Sequence, residues 1–160
     1  MVEPFIEGMR QLAAGVSVVT TGSLGDRSGM TASAVCSLSI EPPSLVACLN
    51  RAAGTCSRVA ESGTFCVNVL GRHHEELAQV FAGRGGLCGE ARFGIGAWRR
   101  GALGVPVLDD ALVSFECEVA TIHDHATHGI VVGLVREVHM AADVALRPLV
   151  YHDRTFRGVA

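Results

Sequence analysis

The chain has 160 residues, 49% of them hydrophobic and 18% charged, a balance that fills a core and excludes intrinsic disorder. The formal net charge of −3 argues against a general nucleic-acid binder. All 13 basic residues are arginine, so Schiff-base lysine chemistry and a P-loop lysine are excluded.

Phe5, Ile6, Met9, Leu12 and Ala13 recur at helical spacing and predict an amphipathic helix over residues 4–14, ended by Gly15. Glu3 and Glu7, with no basic stretch before an apolar run, do not make a secretion signal. The β-branched run 16–21 predicts a strand, and the Gly, Ser and Asp residues of 22–29 a turn. Residues 30–39 read as a second strand of small and hydroxyl residues, stopped by Glu41-Pro42-Pro43. The run 44–49 is apolar throughout, so a strand buried on both faces is expected. A short helix is expected over 55–62, with Thr55 as its cap and Gly63 just past its end.

Residues 65–70 predict another apolar strand. A helix over 73–81 presents Leu77, Val80 and Phe81 on one face and places Glu75 and Glu76 in its first turn. The glycine-rich stretch 82–92 reads as a loop. Val113, Phe115, Cys117, Val119 and Thr121 alternate with smaller or polar residues, and Ile130, Val132, Leu134 and Val138 repeat the pattern. With 124–127 between them, the two runs predict a long antiparallel hairpin. Residues 149–152 add a short strand. Six or seven strands with two or three short helices, and no long helix between strands, argue for one domain over 1–160. Its expected form is an antiparallel barrel with accessory helices rather than a Rossmann fold.

The six cysteines (36, 48, 56, 66, 88 and 117) contain no C-x-x-C pair and mostly sit in apolar runs. They are expected to be small buried hydrophobes in a reducing cytoplasm. No apolar run approaches the roughly 20 residues that span a bilayer, so no membrane partner is expected.

Residues 29–39 form the most unusual segment. Small side chains let a group approach the backbone closely, and the hydroxyls add donors without bulk. The segment suits a flat ligand with a polar edge, or equally a tightly packed core strand. Asn50-Arg51 and the helix start Gly54-Thr55-Cys56-Ser57 combine an arginine, an amide, hydroxyls and free N–H groups. They suit a phosphate, or an ordinary loop with a helix cap. His123, Asp124, His125 and His128 crowd one hairpin end without a recognised zinc spacing, so solvated histidines are expected and no metal site. The pair His73-His74 reads as surface, and the lone aromatics Trp98 and Tyr151 as core. There is no G-x-S-x-G nucleophile elbow and no G-x-G-x-x-G after a strand.

The run Gly-Met-Thr-Ala-Ser-Ala-Val-Cys-Ser-Leu-Ser-Ile-Glu-Pro-Pro-Ser-Leu-Val-Ala-Cys-Leu-Asn (29–50) resembles the signature of short-chain flavin reductases, the reductase components of two-component flavin monooxygenases. Gly63-Thr-Phe-Cys-Val-Asn-Val-Leu70, Phe81-Ala82-Gly83, Arg92-Phe93, Gly104-Val-Pro-Val-Leu-Asp109, Thr127-His128-Gly129 and Pro148-Leu-Val-Tyr151 follow in the family's order. The form Thr-Ala-Ser-Ala-Val-Cys-Ser is especially similar to reductases serving 4-hydroxyphenylacetate 3-monooxygenase.

The resemblance implies a mainly β, FMN-binding split β-barrel, antiparallel with a Greek-key course, that forms a homodimer. It also implies reduction of FMN or FAD by NADH or NADPH and the supply of reduced flavin to an oxygenase component. Carried over by position, Thr31, Ala32, Ser33, Ala34, Val35, Ser37 and Leu38 would line the isoalloxazine and ribityl chain. Asn50, Arg51, Thr55 and Cys56 would hold the phosphate end, Phe81 and Ala82 would close over the flavin, and His128 would sit where nicotinamide stacks. Many relatives carry Gly-Asp-His where this chain has Ala126-Thr127-His128, so the acid before the histidine is replaced.

Overall fold

The computed structural model describes residues 1–143 and 145–159. In chain order the elements are α1 (Val2–Arg10), β1 (Ala14–Gly15), β2 (Ser17–Thr21), β3 (Ser28–Ala32), β4 (Val35–Ile40), β5 (Pro43–Asn50), α2 (Gly54–Ser62) and β6 (Thr64–Val69). A 3-10 turn (Arg72–His74) leads into α3 (Glu75–Phe81). Another (Gly89–Gly94) precedes β7 (Trp98–Arg100), β8 (Pro106–Leu108), β9 (Val113–His125), β10 (His128–Met140), β11 (Leu149–His152) and β12 (Thr155–Gly158). The protein is mainly β, as expected, with antiparallel pairing throughout. Among the described residues no helix is long and apolar enough to cross a membrane.

The main sheet has the strand order β3-β2-β6-β9-β10-β5-β4. Its two outermost strands, β3 and β4, are consecutive in the chain and separated only by Ser33 and Ala34. The three Cα steps from Ala32 to Val35 span at most about 11 Å, so the sheet must curl until its edges meet, which makes a barrel with a seam at residues 33–34. The Cys48 N–H donates to the Ala34 carbonyl at 2.9 Å and pins the seam to β5. The expected single strand over 30–39 is therefore two strands with a bend between them. Small residues carry no strong local preference, and barrel closure sets the break.

Two apolar clusters hold the barrel. Val19, Leu45, Ala47, Leu49, Phe65, Val67, Cys117 and Val131 fill its interior. Gly133 lies against the Phe65 ring, where a side chain would collide. The second cluster packs α3 onto the sheet through Val18, Leu70, Leu77, Phe81, Phe93 and Leu108. Strand β2, buried at every position, lies between the two. Strand β5 departs from expectation. Leu45, Ala47 and Leu49 are buried, but Val46 and Cys48 on its other face are only half-buried, because none of the described residues fully covers that face.

Other expectations shift for local reasons. The first helix ends at Arg10, whose guanidinium is held by Asp153 (Nε–Oδ1 2.8 Å) while its carbonyl accepts the Asp153 N–H. The chain then turns into β1, which pairs with β11. The second helix begins at Gly54 with Ala53 as N-cap, so Thr55 lies inside the first turn rather than capping it. Of the six cysteines, Cys36 and Cys88 are exposed, contrary to the expectation of burial. His74 is buried at 6% exposure, where a surface position was expected. The Gly71 N–H donates to its Nδ1 at 3.1 Å, and its Nε2 lies 3.0 Å from Asp110 Oδ1. The short strands β1, β7, β8 and β12 fall below what periodicity detects. Strands β7 and β8 flank a turn whose Ala102 and Leu103 N–H groups both donate to the fully buried Glu116 carboxylate.

Candidate flavin-binding site

The barrel seam supplies the first element of the site. As edge strands, β3 and β4 are each paired on one side only, so part of each ladder has no strand partner. Unpaired backbone groups of this kind must find another partner. Ser33, Ala34, Ser37 and Leu38 are exposed along the seam and Val35 is half-buried. Ala32 points into the barrel core. Thr31 is half-buried, and its hydroxyl donates to the Ala78 carbonyl at 2.6 Å, so it ties β3 to α3.

The second element lies where β5 ends and β10 begins. Asn50 pairs with His128 across the ladder. The Asn50 side-chain oxygen accepts the Ala52 N–H at 2.9 Å and shapes the turn that follows. The Arg51 N–H donates to the Thr127 carbonyl at 2.9 Å, and its guanidinium meets Asp124 at 3.3 Å. Thr127 Oγ1 lies 2.9 Å from His128 Nδ1, so the hydroxyl that precedes the histidine is within hydrogen-bond reach of the imidazole. His123 and His125 stay exposed on β9.

The third element is the start of α2. Thr55 is buried and shares a hydrogen bond with Ser28 on β3 (Oγ–Oγ1 2.9 Å). Cys56 is buried, and a side chain added at Gly129 would come within 3.0 Å of its sulfur. Burial first, and the Asp124 charge second, push the Cys56 thiol up, which disfavours the reactive thiolate. A cavity of about 460 Å³ opens beside Ser28, Gly54 and Thr55, with Arg58 and Arg92 on its walls. Cavities of roughly 300–1,000 Å³ accept cofactor-sized ligands. Arg92 donates to the Gly29 carbonyl at 3.2 Å, and Arg58 is paired with Asp26. Sequence reasoning missed Ser28, Arg58 and Arg92. Only Arg58, three residues after Thr55 on one helix, gave a local signal.

Phe81 and Ala82 differ in placement. The Phe81 ring is 1% exposed, stacked edge-on against Phe93 at 5.1 Å and beside Trp98 at 5.4 Å. A side chain at Gly29 would meet it at 2.7 Å. The ring is thus spent on the core and has no face left for a ligand, while Ala82 is exposed.

An exposed row of unpaired backbone groups, a cation at one end and a cofactor-sized cavity at a helix start fit a long, flat ligand with a polar edge and an anionic tail. The flavin reductase like domain profile matches residues 9–160. The chain belongs to that family. A relative named FMN reductase (NADH) RutF 1, from Methylorubrum extorquens, is 42% identical over 153 residues, covering 96% of this chain and 74% of that protein. Among solved structures, BorF, the flavin reductase component of a bacterial two-component tryptophan halogenase, superposes with a TM-score of 0.89 at 31% identity and covers 99% of this chain and 98% of its own. The flavin reductase HpaC in complex with NADP+ gives 0.87 at 31% identity, with the same coverage. The flavin reductase fold expected from residues 29–50 is therefore the one observed.

Proposed function

We propose that this NAD(P)H:flavin oxidoreductase, whose cofactors are FMN or FAD and NADH or NADPH, binds flavin along the barrel seam and supplies reduced flavin to a separate oxygenase component. The observation that carries the reading is the seam itself. The edge residues 31–38 run beside the Asn50–Arg51–His128 cluster and reach the Ser28–Thr55 pair, in the order a ring, a chain and a phosphate require. Flavin bound there would supply the redox chemistry, as the acceptor of a hydride from the nicotinamide.

The chain's own residues bind and orient. Backbone N–H groups of residues 31–35 offer preorganised dipoles to the polar edge of the ring, where negative charge develops. Arg51 and the α2 start answer the phosphate without any ammonium. Thr127 lies within hydrogen-bond reach of His128, whose imidazole would border the stacking position in this reading, and no proton transfer is asked of it. Stacking two rings at a near-attack separation is then the main contribution of the protein.

A homodimer belongs to the same reading. Strand β4 has no buried residue, and Leu38, Ile40, Val138 and Met140 are 54%, 93%, 49% and 74% exposed. An apolar groove of about 430 Å³ runs from Val35 past Pro43 to Val138. An uncovered edge beside an apolar groove is a surface that soluble proteins close by association. A second copy there would wall the seam from the outside. The deciding experiment is NADH oxidation by the purified protein with FMN and with FAD. Turnover that depends on added flavin is expected. Flavin binding without turnover would overturn the enzyme in favour of a non-catalytic flavin carrier.

A further inference from the structure

We infer that Arg84, with Ser33 and Tyr151, forms a second anion subsite that takes the diphosphate of the nicotinamide co-substrate, an inference that rests on the reductase reading above. A cleft of about 140 Å³ lies farther along β3 than the Ser28–Thr55 cavity, lined by Thr31, Ser33, Ala82, Arg84, Tyr151 and Phe156 along with Val16. It is too small for a flavin and fits a fragment of a nucleotide.

Its polar groups are uncommitted. Thr31 spends its hydroxyl on Ala78, but among the described residues no hydrogen bond engages Ser33 Oγ or the Tyr151 hydroxyl. The ion-paired arginines are Arg10, Arg27, Arg51, Arg58, Arg99 and Arg136, so Arg84 has no carboxylate partner among the described residues. The turn that presents it is built. Gly83 and Gly85 take φ of 86° and 85°, which a side chain would resist, and the Arg84 N–H closes onto the Gln79 carbonyl at 3.0 Å. Tyr151 stacks against Phe156 with ring centroids 5.1 Å apart, giving the cleft an aromatic wall.

The cleft and the signature strand share Thr31 and Ser33, so whatever fills it lies beside the ring site. Arg51 and the α2 start already answer the flavin phosphate. With FMN as the flavin and NADH as the donor, the other anion the reaction brings is the co-substrate's diphosphate, and a guanidinium fork matches it with paired charge-assisted hydrogen bonds.

The test compares wild type with Arg84→Ala and Arg84→Lys in three measurements. Calorimetry with NAD+ reads binding without turnover, fluorescence titration reads FMN affinity, and steady-state rates compare NADH with 1-benzyl-1,4-dihydronicotinamide, a hydride donor that lacks phosphates. Arg84→Ala is expected to weaken NAD+ binding and raise the KM for NADH about tenfold, the size of one charge-assisted contact. FMN affinity and the rate with the truncated donor stay unchanged, and Arg84→Lys recovers part of the loss. Unchanged NAD+ affinity overturns the proposal, as does FMN affinity falling in step, which would assign the cleft to the flavin's own anionic tail. An equal loss with the truncated donor also overturns it. Should the wild type fail to oxidise NADH, the reductase reading falls, while the NAD+ titration still decides the role of Arg84.

Discussion

At the scale of single residues, the site divides into groups that are free to meet a ligand and groups already spent on the fold. Arg51 is half exposed with a long 3.3 Å contact to the equally exposed Asp124, a loose pairing that leaves its guanidinium open to an incoming anion. Thr55 is buried against Ser28, so its hydroxyl serves the fold first. The double variant Arg51→Ala with Thr55→Ala should weaken FMN binding by about 2 kcal/mol, the range of hydrogen bonds to charged groups. Riboflavin, which lacks the phosphate, should bind both proteins equally. Fluorescence titrations with the two ligands check this, and a matching loss for riboflavin would move the phosphate elsewhere. The sequence pattern singled out Arg51 because a cation after a strand end is a local feature. It misplaced the role of Phe81, whose ring is recruited by Phe93 and Trp98, residues 12 or more positions away that no local pattern joins to it.

At the scale of elements, strands β2, β6, β9 and β10 were legible because β-branched runs and period-two alternation act locally. The break at 33–34 was not, since it follows from closing a seven-stranded sheet. The start of α3 shows another tertiary effect. His74 is buried and accepts the Gly71 N–H at Nδ1, a bond that only an imidazole unprotonated at that nitrogen can make. Burial first, with His73 adding repulsion, lowers its pKa against the opposing pull of Asp110. The unfolded chain therefore binds a proton that the folded chain resists, and stability rises with pH across the window below the ordinary histidine value of 6.5. Acid should therefore destabilise the fold through the turn that starts α3. Urea titrations between pH 5 and 7.5 should show the midpoint falling as pH drops. In His74→Gln that slope should flatten, at a cost of about 1–3 kcal/mol at neutral pH for the unsatisfied buried groups. An unaltered slope in the variant would assign the acid sensitivity to another group.

At the scale of the whole molecule, the run of predicted strands foretold a mainly β fold but not which of its faces stays uncovered. The half-exposed side of β5 and the largely exposed β4 carry that information, and it became readable only once the strands were ordered. Ile40, 93% exposed, should be central to the pairing of two copies. Ile40→Glu is expected to convert a dimer to monomers in sedimentation velocity, with far-ultraviolet dichroism unchanged. A variant that sediments like the wild type would place the contact elsewhere. The two-residue link between β3 and β4 has a kinetic consequence as well. A barrel whose circumference is completed by a bend and one backbone bond to Cys48 resembles a clasp left undone. A ligand lying along it would fasten the first strand of the ring to the last. Loading with flavin should therefore slow amide exchange on both edges at once, and the resistance of the barrel to opening becomes a measure of how full the clasp is.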